Sequence, residues 1–191
     1  LIANHGDNEP WRHSRLRWLN SQIGFDDEVI APYIPLNVQD KTISLLGRKV
    51  TLQPNGFPAQ ITSYFKETLT EIGTEGLDIL SRPMELTTGE NWENLDFTYT
   101  KRKAGALGWH ATNQSNQFIM NLDAQIESDG NMEYKVVLIA RKDGEINDIA
   151  LRTELAPNIA QYMMGLGEKG GYCPQNLDWK WGVEKNQDAL W

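Results

Sequence analysis

Cysteine is almost missing from this chain. Cys173 is the single one in 191 residues, so no internal disulfide can form, and one thiol assigns the protein to no redox compartment. Histidine is scarce as well: His5, His13 and His110 are scattered without metal-ligand spacing, so neither a metal nor any other cofactor is expected. Positive charge is in deficit, with 18 Lys and Arg against 26 Asp and Glu. The resulting formal net charge of −8 argues against a nucleic-acid partner. The one basic run, Lys101-Arg102-Lys103, reads as a solvated strand end, and the acidic run Asp26-Asp27-Glu28 as a solvated loop without partner ligands nearby. No apolar stretch approaches the roughly 20 residues of a membrane-spanning helix. No secretory leader is visible at the start, and no Gly-x-Ser-x-Gly nucleophile elbow occurs. Gly165 to Gly171 is glycine-rich, but it lacks both the preceding strand and the Gly-Lys-Ser/Thr ending of a phosphate loop, and reads as a flexible connection. Leu1 is no initiator and Trp191 follows no polar tail, so the chain is expected to be a piece of something longer.

What is present is alternation. In 117–127, Phe118, Met120, Leu122, Ala124 and Ile126 share one side, while Gln117, Asn121, Asp123, Gln125 and Glu127 take the other with Ile119. That period of two predicts a half-buried strand. Asp129-Gly130-Asn131 supplies a turn, and Met132, Tyr134, Val136, Leu138 and Ala140 resume the pattern. Val137 and Ile139 make the second face of that strand apolar too, as expected if another layer covers part of it. Asp143-Gly144 predicts a further reversal into a third strand carrying Ile149, Leu151 and Leu155.

Elsewhere short strands follow closely. Runs 41–45, 49–53 and 60–65 are separated by Gly47 and by Pro54-Asn55-Gly56, which suits a turn with positive φ. A strand is expected over 77–80, and Pro83-Met84-Glu85-Leu86 suits a short edge strand. Leu95, Phe97 and Tyr99 face Leu107, Trp109 and Ala111 across a hairpin at Ala104-Gly105. Pro157 with Ile159, Tyr162, Met163 and Leu166 at helical spacing predicts one short helix near the C-terminus. The fold class is therefore mostly β, an antiparallel β-sandwich with that single helix. Residues 1–28 are expected to be an arm or linker and 29–191 the sandwich domain, with helix and strand both open for 11–21.

Chemistry is harder to place. Trp109, Trp179 and Trp181 offer flat apolar rings, and His110 and Lys180 stand beside them. Rings next to hydrogen-bonding groups suit sugars, so Trp109, His110, Trp179 and Trp181 are the candidate carbohydrate contacts. Trp92 and Tyr33 also lie near predicted loops or strand faces. The competing reading is that tryptophans in a sandwich fill its core or its interfaces. Glu85, Glu90, Glu93 and Asp96 are carboxylates whose separation a sequence cannot give, so no glycosidase pair and no catalytic residue is assigned.

Several phrases carry a resemblance: Ser14-Arg15-Leu16-Arg17-Trp18-Leu19-Asn20-Ser21, Pro32-Tyr33-Ile34-Pro35-Leu36, Asn55-Gly56-Phe57-Pro58-Ala59-Gln60-Ile61, Gly170-Gly171-Tyr172 and Trp179-Lys180-Trp181. With them the chain resembles a large bacterial family of glycoside hydrolase-like proteins. The resemblance implies a non-catalytic β-rich region, of the galactose mutarotase-like supersandwich type, packed against a separate catalytic domain of the same polypeptide. It further implies a periplasmic or extracellular setting and a glycan as partner. It carries over no catalytic residue.

Overall fold

A computed structural model describes residues 26–166 and 168–180. Among them every regular element is a strand. The first sheet runs in chain order through β1 (Asn37–Gln39), β2 (Thr42–Leu45), β3 (Arg48–Leu52), β4 (Pro58–Phe65) and β5 (Ile72–Asp78), all antiparallel. The second is the four-stranded meander β7 (Glu93–Arg102), β8 (Ala106–Gln114), β9 (Phe118–Glu127) and β10 (Met132–Ala140). Two short ladders complete the set: β6 (Glu85–Thr87) with β11 (Ala150–Arg152), and β12 (Tyr162–Gly165) with β13 (Glu168–Tyr172).

The sheets share one core, and the alternation predicted from sequence supplies it. Ile43, Leu45, Val50, Leu52 and Phe57 of the first half meet Leu107, Trp109, Ala111, Met120, Leu122, Ala124 and Ile126 of the second. Met132, Tyr134, Val136 and Leu138 of β10 pack against this cluster, while Val137 and Ile139 point away and stand 41% and 47% exposed. Burial of Tyr134 also pushes its hydroxyl above the ordinary tyrosine range.

One close contact between the halves is the turn joining β3 to β4. Gly56 adopts a φ of 93°, open to glycine at little cost. A Cβ there would lie 2.8 Å from Leu122 Cδ2 and 3.0 Å from Ala111 Cβ, so only a bare backbone fits. The Trp109 indole N–H donates to the Gly56 carbonyl at 2.9 Å, and the Asn113 amide donates to the Asn55 carbonyl at 3.1 Å. Three successive inward residues of β8 therefore receive one turn of the opposite sheet.

At the other end, the expected arm is pinned where it enters. Residues 1–25, with the undecided stretch 11–21, lie outside the described residues. Asp27 bridges Lys101 Nζ at 2.5 Å and Lys103 Nζ at 2.9 Å, so the acidic and basic runs that read as separate solvated segments are each other's partners. The Lys101 hydrogen bond first, then that of Lys103, holds the Asp27 carboxyl below the ordinary carboxylate range. Leu36 N–H donates to the Ala104 carbonyl at 2.8 Å, continuing the strap along the β7–β8 hairpin.

Three expectations are corrected. The strand carrying Leu151 does not extend the meander: β11 crosses to pair with β6, Leu80 bridges Leu155, and Ile149, Leu151 and Leu155 remain exposed. Asp143-Gly144 is a local turn signal, and a local signal cannot report which distant edge offers a ladder. The expected short helix is not formed either. Gly165 and Leu166 take φ values of 103° and 53°, which end a right-handed helix, and the glycine-rich run folds back as the β12–β13 hairpin instead of a loose connection. The Tyr162 and Tyr172 rings close it at 5.0 Å between centroids. Finally, the strand expected over 77–80 lies earlier, as β5.

Two outcomes follow. Trp109→Ala is expected to cost about 3–5 kcal/mol in chemical denaturation; a loss under about 1 kcal/mol would contradict its place in the core. Because the folded state holds the Asp27 carboxyl low, its tie is complete above the ordinary carboxylate range and is lost as pH falls through the lower folded-state value. Asp27→Asn should therefore lower the urea midpoint at neutral pH yet match the parent chain once the pH is low enough to protonate the folded-state carboxyl. A difference that persists unchanged in acid would give Asp27 another role.

Candidate functional site

The outward face of the second sheet collects the polar half of each alternating strand. Register fixes its rows: Lys135 lies opposite Asp123, Asp123 opposite His110, and His110 opposite Thr98. In the next row Val137, Asn121, Thr112 and Asp96 line up in the same way. His110 is the hub. Its Nδ1 lies 2.7 Å from Asp123 Oδ1 and its Nε2 3.0 Å from Thr112 Oγ1, while the Thr112 hydroxyl lies 3.2 Å from Asn121 Oδ1. The ring is thus gripped at both nitrogens, which fixes its plane on the sheet. Beside it, Asp123, Gln125, Glu133 and Lys135 border a shallow groove of about 260 Å³.

Of the candidate contacts, Trp109 and His110 are neighbours on β8 and face opposite ways. Trp109 is fully buried, its N–H engaged by Gly56, so it packs the core and offers no surface to a sugar. Trp179 is half-buried near the end of the described residues, and Trp181 lies outside them. Trp92 is a packing residue whose N–H donates to the Leu86 carbonyl at 2.7 Å. The carboxylates serve local structure: Glu85 approaches Arg82 at 3.8 Å, and Glu93 accepts from the Gln114 amide at 2.9 Å. Glu90 accepts from the Gln117 N–H at 3.0 Å, and its carboxyl is held below the ordinary range chiefly by the Ser115 hydroxyl. Among the described residues no group of three or more His, Cys, Asp or Glu could hold a metal, and no helix is long and apolar enough to cross a membrane.

Sequence reasoning singled out His110 but not Asp123, Thr112 or Asn121. The signal was available: Asn121 and Asp123 share the polar side of β9, and a tight turn at 115–117 sets His110 against Asp123. What this face offers chemically is a fixed array of donors and acceptors, able to meet hydroxyl groups or another polar surface.

Two packed antiparallel sheets with a hydrogen-bonded outer face define a β-sandwich domain. The sequence model described as glycoside hydrolase 123, third domain, matches residues 36–191, and the chain belongs to this family. No curated protein and no solved structure matches it.

Adjacent residues should respond oppositely to truncation. Against the severe loss expected for Trp109→Ala, His110→Ala should stay within about 1 kcal/mol, since its partners lie on the outward face of the sheet. Equal losses at both positions, read from urea midpoints, would contradict the two-sided picture of β8.

Proposed function

We propose that this domain is a non-catalytic accessory module of a glycoside hydrolase, supporting a catalytic domain of the same polypeptide and contacting glycan through the His110 face. The longer protein works in the periplasm or outside the cell, on polysaccharide. The observation that carries the glycan half is the cluster Asp123, His110, Thr112 and Asn121, spanning two adjacent rows and joined by hydrogen bonds on an open sheet face. Membership in a family described as the third domain of a glycoside hydrolase supports the accessory role. Sugar hydroxyls need donors and acceptors held at fixed spacing, and strands hold them more firmly than loops.

A second reading is favoured by one distance, the 2.7 Å between His110 and Asp123. A histidine oriented by a carboxylate is the acid–base unit of a sugar epimerase, and a sandwich of the galactose mutarotase-like supersandwich kind would accommodate it. Anomer interconversion by the chain, abolished in His110→Ala, would establish this reading; interconversion that survives the substitution would remove it.

For the leading proposal, a glycan array followed by calorimetry should find saturable binding to at least one saccharide, weakened in His110→Ala. No binding to any saccharide, together with loss of parent activity when the domain is deleted, would leave support of the catalytic domain as its whole role. A polar protein surface in place of a sugar would then be the occupant of the His110 face.

A further inference from the structure

We propose that the concavity at the outer end of the β4–β5 hairpin is a binding site for a neutral saccharide, separate from the His110 face. The inference rests on the reading that this domain contacts glycan, and adds a second place where it does so. The concavity measures about 600 Å³, inside the roughly 300–1,000 Å³ range of small-ligand sites. Tyr64 gives it an aromatic ring, Phe65 borders it from the opposite face of β4, and Thr68 and Thr74 add hydroxyls and Glu67 and Glu75 carboxylates. A pyranose presents the complement: a C–H face for a ring to stack on and hydroxyls for oxygen acceptors and donors.

The aromatic surface is held in place before any ligand arrives. Gly76 leaves bare backbone beside Tyr64, where a Cβ would lie 2.5 Å from Thr62 Cγ2 and 3.0 Å from the ring. Lys49 Nζ lies over the same ring, 5.1 Å from its centroid. Phe65 is fixed against Gly47, where a Cβ would come within 2.6 Å of its ring. Rings already packed lose little freedom on binding. Next to Tyr64, the Thr62 hydroxyl donates to Asp78 Oδ1 at 2.8 Å and extends the polar surface along the same sheet. β5 is an edge strand exposed along almost its whole length, so the approach is open.

Charge selects the class of glycan. Lys66 is paired with Glu71 at 2.7 Å across the hairpin, which leaves the carboxylates of Glu67 and Glu75 on the lining. With the chain at −8 overall, anionic polysaccharides are repelled and neutral ones are not.

The test is an NMR titration of the isotopically labelled chain with neutral cello-, xylo-, manno- and chito-oligosaccharides and with a heparin fragment, paired with calorimetry. At least one neutral oligosaccharide should shift the amides of Gly73, Thr74, Glu75 and Gly76. Its affinity should fall about tenfold or more in Tyr64→Ala and hold within about threefold in Tyr64→Phe. The shift map of the parent chain decides the matter even if Tyr64→Ala fails to fold. Shifts confined to Asp123, Gln125 and Lys135 would overturn the hairpin site and leave the glycan reading standing. No shift on either face with any of these saccharides would overturn both. Tighter binding of the heparin fragment at the hairpin would overturn the neutral class.

Discussion

The insertion of the Asn55-Gly56 turn between the inward side chains of β8 is the constraint on which the sandwich depends. An indole N–H buried without a partner costs on the order of 1–3 kcal/mol, and here its acceptor is a main-chain carbonyl of the opposite sheet. That carbonyl can reach Trp109 only because residue 56 has no side chain to strike Leu122 and Ala111. Spacing of the sheets, rotation of the Trp109 ring and register of β8 are thereby set together. Once Trp109 is inside, strand alternation places His110 outside, so the core fixes where the polar face stands.

Much of this architecture was legible in the sequence, for a reason visible in particular residues. Phe118 to Ile126 and Leu107 to Ala111 alternate, apart from Ile119 on the outward side and the buried Gly108, because one side of each strand meets the core and the other meets water. Pro54-Asn55-Gly56 announced its turn because few residues tolerate positive φ. What failed was non-local. Nothing near Leu151 says that its hydrogen bonds go to Leu86, and helical spacing in Ile159 to Leu166 is a short pattern that two left-handed residues override. Trp109 shows the same limit in the site: a tryptophan looks alike in sequence whether it faces a sugar or a core, and the deciding fact is the carbonyl it meets.

The candidate site was half legible. His110 stood out by its chemistry, yet its partners come from β9 and become visible only when the two strands are set in register. The Asp27 clamp was hidden in a similar way. Two charge runs that are ordinary when read alone become one tie when the β7–β8 hairpin brings Lys101 and Lys103 to the incoming strap. In both cases the information lies in pairing between segments. Composition and periodicity describe single segments.

In both main sheets the strands stand side by side in the order in which the chain produces them. Each ladder of those sheets is therefore closed by a short loop, and the entropy of bringing its two strands together is small. The β6–β11 pair differs, because it joins segments lying on either side of the whole second meander. Assembly should accordingly begin as two rapid local meanders that collapse onto each other, with the β6–β11 latch among the last pairings to close and the first to open.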